Sequence, residues 1–178
     1  MAVFLEVPGA LSSSECDGLL ETAASHPARE AAVLGTDGYA PDPEIRLAKT
    51  TSLDRPDAPW MFERLDALFA DAARQFGLDV GRVTEPLQIV RYAVGGHFNQ
   101  WHSDAGGDLQ DRRRVSMSIE LSPADGYEGG LLEIVPARMG VTRTSPRGTA
   151  TLFPSRTLHR VTPVTSGERL SLVAWTGG

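Results

Sequence analysis

The chain has 178 residues, 41% of them apolar, and a net charge of -6 from 17 basic and 23 acidic side chains. That length fits one domain with a sizeable core, and the acidic balance argues against a nucleic-acid partner, which needs a basic face. The single cysteine, Cys16, excludes an internal disulfide and fits a reducing compartment. No apolar run approaches the roughly 18 residues of a membrane span, and the opening MAVFLEVPGALSSSE lacks a basic flank. The expectation is a soluble, cytoplasmic protein with no membrane association.

In chain order, SSSECDGLLETAASH predicts a first helix: serines offer N-caps, Leu19, Leu20 and Ala23 form a stripe, and Pro27 ends it. REAAVLG and EIRLAKTTSL read as strands, split by the turn-rich TDGYAPDP. APWMFERLDALFADAARQFG predicts a stronger helix, with Met61, Leu65, Leu68, Phe69, Ala72 and Phe76 at helical spacing and Gly77 closing it. After Gly81 the pattern becomes short β-branched or aromatic runs: LQIVRYAV, RVSMSIELS, LLEIVP, GTATLFPS, HRVTPV and RLSLVAW. With no helical pattern between them, these predict a mainly β fold, a sandwich or jelly roll with the two helices packed on one outer face. The chain is expected to be one domain, 1–178, with a helix and strand support region (1–81) and a jelly-roll core (82–178) carrying the site.

Histidine is scarce here, and one of the four occurs in NQWHSDAGG, two positions before Asp104. In an extended segment His102 and Asp104 point the same way, which places two metal-ligating groups together. A third ligand has to come from a distant strand, and His159 in SRTLHRVTPV is the best-placed candidate. Two histidines and one carboxylate form the facial triad of non-haem Fe(II) oxygenases, which leaves the opposite side of the metal open. Taken alone, His-x-Asp also fits a surface histidine beside a turn aspartate. Arg169 stands ten residues beyond His159, on what reads as the next strand of a hairpin turning at TSGE. Facing inward it would require an anion, and its planar fork suits a carboxylate; facing outward it would be an ordinary strand arginine.

These elements together resemble the 2-oxoglutarate- and Fe(II)-dependent dioxygenases of the prolyl 4-hydroxylase-like branch. The resemblance runs through IRLAKTTSL, LQIVRYAVGGHFNQWHSD, GYEGGLLEI and GTATLFPSRTLHRVTPVTSGERLSLVAW. It implies a double-stranded β-helix core, Fe(II) on His102, Asp104 and His159, and 2-oxoglutarate held at its far carboxylate by Arg169. Tyr92 matches a tyrosine lining the cosubstrate pocket, Trp175 a tryptophan near iron and substrate, and Arg46 and Arg113 arginines along the substrate groove. Two positions depart from the pattern: Phe98 stands where a tyrosine is common, and Glu120 stands at a strand position usually aromatic. If Ser116, Ser118 and Glu120 share the interior face, Glu120 meets a basic partner, either a substrate amine or a nearby arginine.

The resemblance further implies O2 as cosubstrate, ascorbate as a possible helper, and hydroxylation of an unactivated C–H bond coupled to conversion of 2-oxoglutarate into succinate. Asp104 favours hydroxylation over halogenation, because related halogenases replace that carboxylate with a small residue. The substrate implied is a prolyl residue of a peptide or protein. A free amino acid or natural-product precursor is the alternative, given the short chain and the loop GTDGYAPDPE. A non-redox, cupin-like metal-binding sandwich is a further reading, one that needs no Arg169 clamp. Oligomeric state is not legible.

Overall fold

The structure, a computed structural model, describes residues 3–35, 38–106, 112–135 and 145–178. A short strand, β1 (Leu5–Val7), precedes α1 (Ser13–Ala24). Ser12 caps α1 by accepting from the Glu15 N–H, and the Glu15 carboxylate accepts from the Ser12 N–H, so two otherwise orphaned donors are satisfied. Cys16, Leu19 and Ala23 form its buried stripe.

The two strands expected between the helices become five among the described residues: β2 (Ala28–Glu30), β3 (Ala32–Gly35), β4 (Gly38–Pro41), β5 (Arg46–Leu47) and β6 (Lys49–Leu53). The breaks fall at Ala31 and Ala48, whose backbones bond to each other. There the chain passes from one sheet to another, because β5 and β6 belong to different sheets. The predicted turn TDGYAPDP needs correction: Gly38–Pro41 is a strand, antiparallel to β3 with Gly35 opposite Gly38. Its glycine and prolines signalled a turn because this is an exposed hairpin arm, where no second neighbour demands the missing proline N–H. Thr36 and Asp37, in the loop GTDGYAPDPE, lie outside the described residues.

α2 (Pro59–Phe76) starts on a proline, whose absent N–H is not needed in the first turn, and ends on Gly77 in the left-handed conformation. Among the described residues no helix is long and apolar enough to cross a membrane. Among the described residues, nine strands follow: β7 (Leu87–Tyr92), β8 (His97–His102), β9 (Arg113–Glu120), β10 (Tyr127–Gly129), β11 (Leu132–Ile134), β12 (Ala150–Pro154), β13 (His159–Val161), β14 (Val164–Gly167) and β15 (Arg169–Gly177).

A major sheet has the order β1-β12-β9-β15-β7-β6-β2, a minor one the order β11-β13-β8-β5, and β10-β14 and β3-β4 form two-stranded pairs. This is the expected jelly roll. The strands obey period two. On β9, Val115, Met117 and Ile119 join Leu172 and Ala174 of β15 and Leu87 and Ile89 of β7 in one hydrophobic cluster with α1 and α2. Both helices therefore cover the outer face of the major sheet, as expected. The inner face alternates out of phase and is polar: Trp175 pairs with Ser116, Val173 with Ser118, Ser171 with Glu120, and Arg169 with Tyr92. Such polarity in a sheet interior points to a cavity built for a polar ligand.

One connection differs from the sequence reading. TSGE is not the turn of a hairpin joining the strands of His159 and Arg169. Val164–Gly167 forms β14, which pairs with β10, while β13 lies in the minor sheet and β15 in the major one. The two side chains thus approach from opposite walls, which a local hairpin would not have allowed.

Candidate active site

His102 ends β8, and His159 begins β13 directly opposite it in the antiparallel register. Two histidines remote in sequence meet because those strands pair. Asp104 lies just past the end of β8. Its N–H and that of Ala105 both donate to the Ser155 carbonyl, at 2.9 and 3.1 Å, and Ser155 is fully buried. The ligating atoms of His102, Asp104 and His159 all lie within 4.8 Å of one another. His159 Nε2 is 3.5 Å from Asp104 Oδ2.

The histidines are oriented for coordination. His102 Nδ1 is 2.9 Å from the Gln100 carbonyl, and His159 Nδ1 is 3.0 Å from the Thr157 carbonyl. A carbonyl only accepts, so each Nδ1 carries the hydrogen and each Nε2 keeps its lone pair for a metal. Phe98 stacks on His102 with centroids 3.6 Å apart, and Phe153 tilts against His159 at 4.7 Å, which locks both rings.

Burial, and then the charge of His159, push the His102 pKa down to about 4, so the ring is neutral and able to ligate at neutral pH. Burial alone would raise the Asp104 carboxyl, but His159, His102, Ser116 and Trp175 hold it below the ordinary range. The Trp175 indole N–H is near enough to polarise Asp104 but does not reach hydrogen-bond geometry with any acceptor. Two imidazoles with one carboxylate are a donor set that fits Fe(II).

The His102 shift makes the metal-free protein acid-labile. Its folded pKa of about 4 lies below the ordinary 6.5, so between those values the unfolded chain binds a proton that the folded chain refuses. Stability is full above the upper value, declines as pH falls through the window, and levels off below it. The expected loss is about 3 kcal/mol, read by urea unfolding of chelator-treated protein at about pH 7.5 and about pH 4.5. A flat dependence between those points would contradict a half-buried, neutral His102.

The three ligands line a cavity of about 510 Å³ between the sheets. Of the other residues singled out from sequence, Tyr92, Arg169, Arg46, Arg113 and Trp175 all reach its wall. Arg169 is 4% exposed, and its guanidinium lies 5.8 Å from the Tyr92 ring. Gly130 makes room for its stem: a Cβ there would come within 3.1 Å of Arg169 Cδ. Arg113 is held by a two-toothed pairing with Glu85 and stacks 3.8 Å over Trp175. Arg46 lies 5.1 Å over Phe98 with its Nε buried and unpartnered.

Glu120 lines a much smaller neighbouring cavity instead. It is 4% exposed and accepts from Arg169 Nε at 3.0 Å, so of its two foreseen partners the arginine is the one present.

Sequence reasoning missed Gln88, whose Oε1 is a buried acceptor without a partner on the cavity wall. A polar residue at an inward position of LQIVRY was its signal. It also missed Ser155, which fastens Asp104, and Glu85, which holds Arg113. Neither carries a sequence pattern.

Solved structures share this fold. The chain superposes on a Pseudomonas putida prolyl-4-hydroxylase with a TM-score of 0.76 at 21% identity, covering 98% of this chain and 92% of that one. A Trichoplax adhaerens prolyl hydroxylase in complex with a hypoxia inducible factor peptide fragment gives 0.78 at 20% identity, covering 98% and 83%. A PKHD-type hydroxylase of Sphingopyxis alaskensis is 34% identical over 158 residues, 83% of this chain and 70% of that protein. Other curated PKHD-type relatives are spanned over only 28 to 57% of their length. The family model for the 2OG-Fe(II) oxygenase superfamily matches residues 87–177, from the start of β7 to the end of β15, with His102, Asp104 and His159 inside it. Just over half of the sequence is matched, and the site lies within that half: the chain belongs to the 2OG-Fe(II) oxygenase superfamily.

Proposed function

We propose that the protein hydroxylates an unactivated C–H bond of a prolyl residue in a peptide or protein, using Fe(II), 2-oxoglutarate and O2. The observation that carries this reading is the convergence of His102, Asp104 and His159 on the wall of a cavity that Arg169 also lines. The relatives' descriptions as PKHD-type hydroxylases, and the peptide in the Trichoplax complex, support the substrate class. The same reading takes residues 1–178 as one domain, since α1 and α2 share a hydrophobic cluster with β7, β9, β12 and β15.

His102 Nε2, His159 Nε2 and one Asp104 oxygen would hold Fe(II) at the cavity wall. When bound, ferrous iron and 2-oxoglutarate would supply the oxidising power, one atom of O2 entering the substrate as a hydroxyl and the other entering the succinate formed as 2-oxoglutarate gives up CO2. Arg169 would hold the far carboxylate of 2-oxoglutarate by charge-assisted hydrogen bonds and so orient the cosubstrate in the cavity. Phe98 and Phe153 face the ligand rings with apolar surface and keep water from them. The buried Gln88 Oε1 is placed to accept from a substrate N–H, and Arg46 Nε to donate to a substrate carbonyl.

The test is a mass-spectrometric screen of proline-containing peptides against free amino acids, with succinate measured in parallel. Prolyl peptides are expected to gain one oxygen per succinate formed. Oxygen gain on free amino acids only would replace the peptide reading with the small-molecule one.

A further inference from the structure

Glu120 is the one carboxylate that meets Arg169 inside the protein among the described residues, and both side chains are almost wholly removed from solvent, at 5% and 4%. The pair is built rather than incidental. Glu120 Oε2 takes the Arg169 Nε–H at 3.0 Å, while Oε1 accepts from the Ser122 N–H at 3.3 Å. Ser122 Oγ in turn accepts from the Leu170 N–H at 2.7 Å, tying the carboxylate to the strand that carries Arg169. Tyr127 stands beside both groups, its phenol held protonated by burial and by the Glu120 charge.

An arginine poised to capture a dicarboxylate usually presents a full positive charge. Here a carboxylate in contact cancels most of it. An incoming anion meets a dipole, whose field falls off faster than that of a lone cation. The Nε bond also fixes the plane of the guanidinium and leaves the four Nη hydrogens to other acceptors.

We propose that Glu120 sets the affinity of the site for the far carboxylate of 2-oxoglutarate: it orients Arg169 and at the same time subtracts from its charge. The inference rests on the reading of Arg169 as the carboxylate clamp. Its consequence is a deliberately loose cosubstrate site, one whose occupancy follows 2-oxoglutarate over a range in which an unopposed arginine would be saturated.

The probe pair is 2-oxoglutarate and 2-oxopentanoate, which has the same chain length but no far carboxylate. Both are titrated calorimetrically under nitrogen into the Fe(II)-loaded protein. The native protein is expected to prefer the diacid by only about 30-fold. In Glu120→Gln, which keeps an oxygen for Nε but loses the charge, 2-oxoglutarate should bind about tenfold more tightly, with 2-oxopentanoate changed by no more than about twofold. Glu120→Asp, which keeps the charge, should gain less than about threefold. An unchanged or weaker 2-oxoglutarate affinity in folded Glu120→Gln, or an equal gain in Glu120→Asp, overturns the proposal. A native preference above about 1,000-fold overturns it without any variant, since an arginine so neutralised could not supply it. Should Arg169→Ala keep the native diacid preference, the clamp reading itself falls. Loss of that preference together with an inert Glu120→Gln removes only the role given to Glu120.

Discussion

Asp104→Ala is expected to purify folded, without iron and without turnover. Asp104 is the only carboxylate in the ligand group, and its oxygen lies 3.5 Å from His159 Nε2. Losing even an outer partner of a metal ligand commonly costs 10–100-fold in metal affinity, so losing the ligand should cost more than about 100-fold. The backbone should hold, because the anchoring bonds from residues 104 and 105 to Ser155 are made by main-chain N–H groups that alanine retains. Metal analysis of the purified protein and succinate formation at saturating Fe(II) give the two readouts. Near-stoichiometric iron with native succinate production would remove Asp104 from the ligand set. Cooperative unfolding close to that of the chelated native protein shows that any loss is local. His159→Ala should behave alike at the metal, since its Nε2 is equally aimed and its ring lies 4.3 Å from that of His102.

Much of this was legible before the structure. The helices declared themselves through caps and period: the serine cluster and Pro27 bound the first and Gly77 closes the second, and of the expected stripes all but Leu20 and Leu68, which are partly buried, lie in the core. RVSMSIE offered two alternating faces for β9, and Val, Met and Ile turn to the helices while Ser, Ser and Glu take the inner face, the register that the sequence reading held only as a condition. What sequence withheld was pairing. Nothing in VTPVTSGE distinguishes a hairpin turn from a strand that joins β10, because both satisfy the same local chemistry. The difference lies in a partner far along the chain. The same limit hid why His102 and His159 meet, which depends on the register of β8 against β13. It also left Glu120 with two candidate partners, as a face can be read from alternation but a contact across strands cannot. Gly38–Pro41 failed for a different reason: an edge strand tolerates the residues that mark turns elsewhere.

Arg169→Ala is expected to produce two separable losses. The first is in cosubstrate binding. Removing the buried partner of a carboxylate should weaken 2-oxoglutarate by at least about 2 kcal/mol, near 30-fold, seen as a raised KM with 2-oxopentanoate binding unaltered. The second is in stability. Glu120 is 4% exposed and spends Oε2 on Arg169, so the variant strands a carboxylate in the interior. Breaking a buried pair from one side typically costs 3–5 kcal/mol, enough to shift a urea midpoint clearly. The two losses have different remedies, which makes them distinguishable. Adding Glu120→Gln to Arg169→Ala removes the stranded charge, so most of the stability should return while 2-oxoglutarate binding stays weak. Recovery of binding along with stability would mean that Arg169 serves only to neutralise Glu120. An Arg169→Ala protein with a native urea midpoint would mean that Glu120 finds water or another donor, and that the pair is looser than its geometry implies.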